Sequence, residues 1–148
     1  MRSSAAILAE IRKKEAEKAK KERELAACLK LLAELQKISS DVSGCVSNLS
    51  GVYSCLERGL TNNGTVIGGD GVNERKGKLS SFNATTQSAI ARVQSRIATL
   101  QAEIAALIAE IAALYQEYYA ALAWEEEQRR KASEAYNNAL FSHSSGKF

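Results

Sequence analysis

The sequence predicts an all-α protein, a long antiparallel two-helix hairpin that is coiled-coil-like and has a glycine-rich turn. Two stretches of apolar residues follow heptad spacing, one glycine-rich segment from 59 to 77 separates them, and no proline interrupts either stretch. Heptad spacing keeps apolar side chains on one stripe of a helix, which is typical of helices that pack against other helices. We therefore expect a single domain over residues 1–148.

The first helix is predicted over residues 4–58. Ser3 or Ser4 can cap its first amides, and Gly44 and Gly51 lie opposite the apolar seam, where they weaken helix propensity without interrupting the stripe. The seam alternates steps of three and four residues through Leu25, Cys28, Leu32, Leu35, Ser39, Val42, Val46, Leu49, Tyr53, Leu56 and Leu60.

The second helix is predicted over 78–141, after a turn at 59–77 and before a disordered tail at 142–148. The turn holds six of the nine glycines, and the tail is short and polar. The second seam runs through Ile90, Val93, Ile97, Leu100, Ile104, Leu107, Ile111, Leu114 and Tyr118. Three glutamates at seven-residue spacing mark a water-facing edge of this helix and argue against a membrane span, namely Glu103, Glu110 and Glu117.

The turn position predicts how the two helices align. If Leu60 meets Leu79, then Lys14 opposes Glu125. The lysine-rich segment from Lys13 to Lys21 then lies beside the run from Glu125 to Glu127. The charges match only in this antiparallel arrangement. Because both seams turn polar away from the turn, we expect the open end of the hairpin to be soft.

The apolar stripe is wider than a two-helix seam needs. Flanking apolar rows would stay in contact with water in an isolated hairpin, and buried apolar area contributes roughly 25 cal/mol per Å². We therefore expect a helical partner, or a second copy of the chain in a homodimer. The predicted partner-binding residues are Leu31, Ile38, Val52, Ile104, Ile108, Ile111, Tyr115, Tyr118, Leu122 and Trp124.

The sequence holds no catalytic, cofactor-binding or metal-binding constellation that we can identify. His143 is the single histidine and lies in the tail, and Gly77-Lys78 is followed by Leu79 rather than the Ser or Thr of a phosphate-binding loop. The net charge of +3 is too small to indicate nucleic acid. We expect a protein that is not an enzyme.

The expected compartment is the cytoplasm. Three cysteines without metal-ligand spacing predict reduced thiols, and the N-terminus has too short an apolar run for a signal peptide. Export would therefore require a leaderless route together with a partner.

The chain resembles the WXG-like helical hairpins of bacterial type VII secretion. Within that superfamily it is most similar to the small proteins encoded beside LXG-domain toxins. The matching segments are the opening helix from Ile11 to Leu35, the central Leu56-Glu57-Arg58-Gly59-Leu60, the turn from Ile67-Gly68-Gly69 to Lys78-Leu79, and the heptads from Ile90 to Leu114.

This resemblance implies a chaperone-like targeting factor that binds the helical N-terminal domain of an LXG toxin. A second small helical protein could join the complex. Two departures stand out: Gly68-Gly69-Asp70-Gly71 replaces the Trp-x-Gly of the family turn, and the family's Tyr-based export signal is missing after the second helix. The alternative function is a self-associating coiled-coil scaffold or structural protein.

Overall fold

The chain is an all-α helical hairpin, as the sequence predicts. The computed structural model describes residues 1–59 and 69–145, with side-chain surroundings for 1–55 and 71–143. Helix α1 spans Ser4–Gly59 and helix α2 spans Gly69–Ser145. The two helices pack against each other in antiparallel fashion, and the described residues contain no strand.

The bounds of α1 agree with the prediction to within one residue, whereas those of α2 do not. Helix α1 is continuous through residues 39–44, which include Gly44. Residues 60–68 of the predicted turn lie outside the described residues.

Helix α2 begins at Gly69 rather than at residue 78, so the predicted start is wrong. The added turns follow helical spacing, because Val72, Lys76 and Leu79 are all half-buried, and Lys78 Nζ lies 3.2 Å from Glu74 Oε1 one turn away. A side chain at Gly77 would meet no other part of the molecule within 4 Å of its Cβ, so this glycine only weakens the helix.

The predicted disordered tail is also wrong over its first four residues, because α2 continues to Ser145. The sequence offers no glycine or proline between Ala132 and Ser145 to end the helix earlier. Residues 146–148 lie outside the described residues.

The hairpin divides into two compact units, each of which contains part of both helices. Unit 1 comprises Met1–Glu22 and Ala102–Phe148, and unit 2 comprises Arg23–Gln101.

The core of unit 1 lies at the open end of the hairpin, where we expected a soft structure. Ile7 and Ile11 of α1 are fully buried against Leu114 and Ala121 of α2. Ile111, Tyr115 and Tyr118 pack against this cluster and are partly buried. The heptad spacing could have predicted this core, because Ile7 and Ile11 continue the first seam towards the N-terminus in steps of three and four.

The core of unit 2 combines apolar residues with one polar layer. Its buried apolar residues are Val42, Ile90, Ile97 and Leu100. Ser39, which is 8% exposed, donates a hydrogen bond to Asn83 Oδ1 at 2.8 Å and accepts one from Gln87 Nε2. A satisfied polar layer of this kind favours one helix alignment over others, because sliding the helices would leave its groups unpaired.

The predicted alignment of the two helices is wrong by about two heptads. Lys14 Nζ lies 2.5 Å from Glu110 Oε2, fifteen residues before Glu125, which we expected opposite this lysine. Glu125 instead contacts Ser4. A shift of two heptads returns every seam residue to a seam position, so the heptad pattern fits both alignments equally well.

One helix, α2, is long and apolar enough to cross a membrane, by length and composition alone. The core helix of a soluble protein meets the same criterion. In unit 1 this helix packs its seam against α1, and Glu103 and Glu110 form ion pairs with α1 lysines. The sequence-based expectation that the chain has no membrane span therefore stays a prediction.

Candidate helix-binding surfaces

The predicted partner-binding residues differ in how much of each side chain reaches water. The exposed fraction lies between 41% and 51% for Leu31, Ile38, Val52, Ile108 and Trp124. Four are half-buried: Ile111, Tyr115, Tyr118 and Leu122. Ile104 is only 9% exposed, so it belongs to the core of the hairpin rather than to its surface.

The exposed residues of unit 2 form a row on α1. Leu31, Ile38, Cys45 and Val52 are spaced by seven residues and are all exposed, and we call them the α1 row. Seven-residue spacing places them on one flank of the helix. A helix laid along this flank would meet one apolar side chain every two turns.

A residue of α2 that the sequence analysis did not single out lies on the same side of unit 2. Arg96 Nη2 lies 2.7 Å from Glu24 Oε1, which fixes the local alignment of the helices. Two heptads forward on α1 and two backward on α2 lead to Ile38 and Phe82, and Phe82 is 52% exposed. The alignment of the helices, rather than any sequence signal, associates Phe82 with the α1 row.

The second surface lies in unit 1, where a row on α2 borders an open groove. This α2 row consists of Ile108, Tyr115 and Leu122, again at seven-residue spacing. The groove holds about 460 Å³, and its lining residues are Glu15, Lys18, Ala19 and Glu22 from α1 with Ile108, Ile111, Ala112 and Tyr115 from α2. Two of the lining residues, Ala19 and Ala112, have small side chains, which leave room for the side chains of another helix.

Tyr115 is held in place on this surface by polar and aromatic contacts. Its hydroxyl donates a hydrogen bond to Glu15 Oε1 at 3.0 Å, and this bond raises the pKa of Tyr115. The ring stacks on Tyr119, with centroids 6.3 Å apart and planes inclined by 27°. Tyr119 is 64% exposed and is not among the predicted partner-binding residues. Rigid aromatic side chains of this kind commonly anchor interfaces.

The opposite flank of α2 in unit 1 carries the three glutamates that we expected to face water. We call Glu103, Glu110 and Glu117 the carboxylate edge. Glu103 and Glu110 form ion pairs with α1, to Lys21 at 2.7 Å and to Lys14 at 2.5 Å, and Glu117 pairs with Arg2 just before α1 at 2.7 Å. The hydrogen bond from Lys14 to Glu110 raises the pKa of Lys14.

The start of α1 is fixed by polar contacts that the sequence analysis missed. Glu125 of α2 accepts hydrogen bonds from the backbone N–H and the hydroxyl of Ser4, each at 2.8 Å, so it caps the first turn of α1 from the other helix. Arg2, which precedes α1, binds Glu117 of α2 and also Glu10 of α1. Glu125 occupies a seam position, and a polar residue in the apolar seam was the feature of the sequence that could have predicted this contact.

The side chains of α2 from 128 to 143 are all exposed. Among them are Tyr136, at 65%, and Leu140, at 51%.

None of the three cysteines, all of which lie within the described part of α1, forms a disulfide. Over the described residues, no group of three or more His, Cys, Asp or Glu side chains lies close enough together to hold a metal ion.

Comparison with known proteins identifies no relative. No protein-family model, no curated protein and no solved structure matches this chain. The similarity to the WXG-like hairpins therefore stays a prediction from the sequence.

Proposed function

We propose that this protein is a non-enzymatic helical partner of an LXG-type toxin. It binds the helical N-terminal domain of the toxin and supports its targeting to, or export by, a bacterial type VII secretion system. The proposal combines the resemblance of the sequence to the small proteins encoded beside such toxins with the surfaces of the hairpin.

The observation that carries the proposal is the exposure of apolar side chains at heptad spacing. Leu31, Ile38 and Val52 on α1 are each more than 40% exposed, and Ile108 on α2 is 51% exposed. Regular seven-residue spacing is the pattern by which one helix recognises another, so these rows support helix binding rather than binding of a small molecule.

Co-expression with the helical N-terminal domain of an LXG toxin encoded beside this gene tests the proposal. The two proteins should co-purify and elute together in size-exclusion chromatography. Ile108→Glu and Leu122→Glu should each weaken the complex at least tenfold, because they place a charge in an apolar contact, while the helical content of the free chain stays unchanged.

Gln116→Glu and Ala109→Glu are the matched controls, because both add a carboxylate to exposed positions of α2 outside the α2 row. These two variants should bind the toxin domain as the wild type does. A stable homo-oligomer that ignores the toxin domain would instead favour the self-associating scaffold, and equal loss of binding in all four variants would contradict the assigned surface.

A further inference from the structure

We propose that the seam of α2 in unit 1 is the binding surface for an amphipathic helix of another protein, which takes the place of residues 1–22 of this chain. We call Met1–Glu22 the strap. The seam of α2 beneath it consists of Ile104, Leu107, Ile111, Leu114, Tyr118 and Ala121. This inference deepens the proposed function and rests on it, because it states how the partner binds and what chemistry the partner carries.

The strap is a poor match for the apolar seam that it covers. Its seam positions are Ser4, Ile7, Ile11, Lys14, Lys18 and Lys21, so three of the six are lysines. The lysine side chains are only 23% to 31% exposed, which means that their stems cover the seam of α2 while their ammonium groups reach the edge. Leucine or isoleucine at these positions would bury more apolar surface and would desolvate no charge.

The charges beside the seam show a second mismatch. A cleft of about 380 Å³ lies beside the carboxylate edge of unit 1. Its lining residues are Lys14, Glu17 and Lys21 of the strap and Glu103, Ala106, Leu107 and Glu110 of α2. Three carboxylates therefore share the cleft with two ammonium groups. A helix with a lysine or arginine in the place of Glu17 would reverse this excess of negative charge.

The two mismatches define the chemistry of the partner helix. It carries apolar residues at every seam position, and it carries basic residues seven apart that pair with the carboxylate edge. Arg2, Lys14 and Lys21 now supply those positive charges from the strap. A helix that supplies the same charges from the flank, and apolar side chains from the seam, fits α2 better than the strap does.

Release of the strap from α2 chiefly requires two side chains to leave the core of unit 1. These are Ile7 and Ile11, which are buried in one cluster with Leu114 and Ala121. The ion pairs of the strap with the carboxylate edge involve partly exposed side chains, and such pairs contribute little to stability. A ligand that binds the opened state shifts the population towards it.

A synthetic peptide with the sequence of residues 1–22 is the probe for this surface. In the redesigned peptide Lys14, Lys18 and Lys21 are replaced by Leu, and Glu10 and Glu17 are replaced by Lys. Fluorescence anisotropy should show that the full-length chain binds the redesigned peptide at least tenfold more tightly than the native-sequence peptide. Equal affinities for the two peptides would overturn the proposal.

A reversible disulfide between the strap and α2 distinguishes a peptide that replaces the strap from a peptide that binds an outer surface. Ile11→Cys and Leu114→Cys join two members of one core cluster, in a chain whose native cysteines are replaced by Ala or Ser. The oxidised chain should lose at least tenfold in affinity for the redesigned peptide, and reduction should restore it. The reduced sample is the matched control, because it contains the same substitutions.

Undiminished binding to the oxidised chain would show that the peptide adds to an outer face, and it would overturn replacement of the strap. The proposed function would survive that result, because capture of the toxin domain is measured separately. Conversely, failure to capture any toxin domain, with the peptide result intact, would refute the proposed function alone.

A variant of the strap itself provides an independent check. Lys14→Leu with Lys21→Leu should raise the melting temperature of the chain and weaken peptide binding at least fivefold, because the strap then fits the seam. Lys13→Leu with Lys20→Leu, two exposed neighbours, should change neither. Weaker peptide binding in both pairs to the same extent would contradict the proposal. A concentration-dependent dimer would also contradict the proposal if it disappears when the disulfide between residues 11 and 114 is formed. In that case the strap of a second copy would occupy the seam of α2.

Discussion

Hydrogen bonds and ion pairs of individual polar residues connect the two ends of the chain at the open end of the hairpin. Glu125 caps the first turn of α1, and the two hydrogen bonds from Ser4 lower the pKa of the Glu125 carboxyl group. The hydrogen bond from Arg2 likewise lowers the pKa of Glu117 and raises that of Arg2. These contacts tie residues more than 100 positions apart in the sequence.

The direction of these pKa shifts predicts how acid affects the fold. A carboxyl group with a lowered pKa in the folded state stabilises the fold above its ordinary pKa, and that contribution is lost as the pH falls through the folded-state value. We expect the melting temperature to fall as the pH is lowered from about 5 to about 3, with a smaller fall in Glu125→Gln, which lacks this carboxyl group.

Thermal unfolding followed by circular dichroism across this pH range measures the effect. At neutral pH the Glu125→Gln variant should melt at a lower temperature than the wild type, and the difference should shrink towards pH 3. Glu126→Gln is the control, because Glu126 is the exposed neighbour. Parallel pH profiles for Glu125→Gln and the wild type would refute a stabilising cap.

At the scale of the helices, heptad spacing predicts which residues face the other helix but not which residue they meet. The predicted seams agree with burial at Val42, Ile90, Ile97 and Leu100, and polar Ser39 is buried at its seam position as well. Heptads repeat, so every shift by a multiple of seven residues preserves this agreement. The alignment depends on where α2 begins, and glycines that the helix tolerates made the turn look longer than it is.

The accessibility of the predicted surface residues was only partly predictable for the same reason. Ile104 and Ile108 differ by one helical turn, yet the first is buried and the second is half exposed. The sequence shows both as apolar residues on one broad stripe. Their different surroundings depend on which α1 residues lie opposite, and that follows from the alignment.

The alignment is testable with pairs of introduced cysteines in a chain that lacks its native ones. Ser39→Cys with Asn83→Cys should react efficiently with a short bifunctional thiol crosslinker, because the native side chains form a 2.8 Å hydrogen bond. Ser39→Cys with Leu100→Cys, the pair expected from the sequence-based alignment, should not. Preferential crosslinking of the second pair would show that the helices adopt the other alignment.

At the scale of the whole molecule, the chain displays apolar side chains in both of its units. In unit 2 they are the α1 row and Phe82, and in unit 1 they are the α2 row and Tyr119. A two-helix hairpin has no third element to cover such rows, and exposed apolar surface of this regularity is typical of proteins that function in complexes.

Hydrogen exchange on the full-length chain, alone and in complex with the helical N-terminal domain of an LXG toxin, tests the central claim most directly. Amides of residues 104–122 in α2 should exchange more slowly in the complex, because the partner helix would cover the α2 row and the seam beside it. A complex in which residues 104–122 exchange as they do in the free chain would contradict the account.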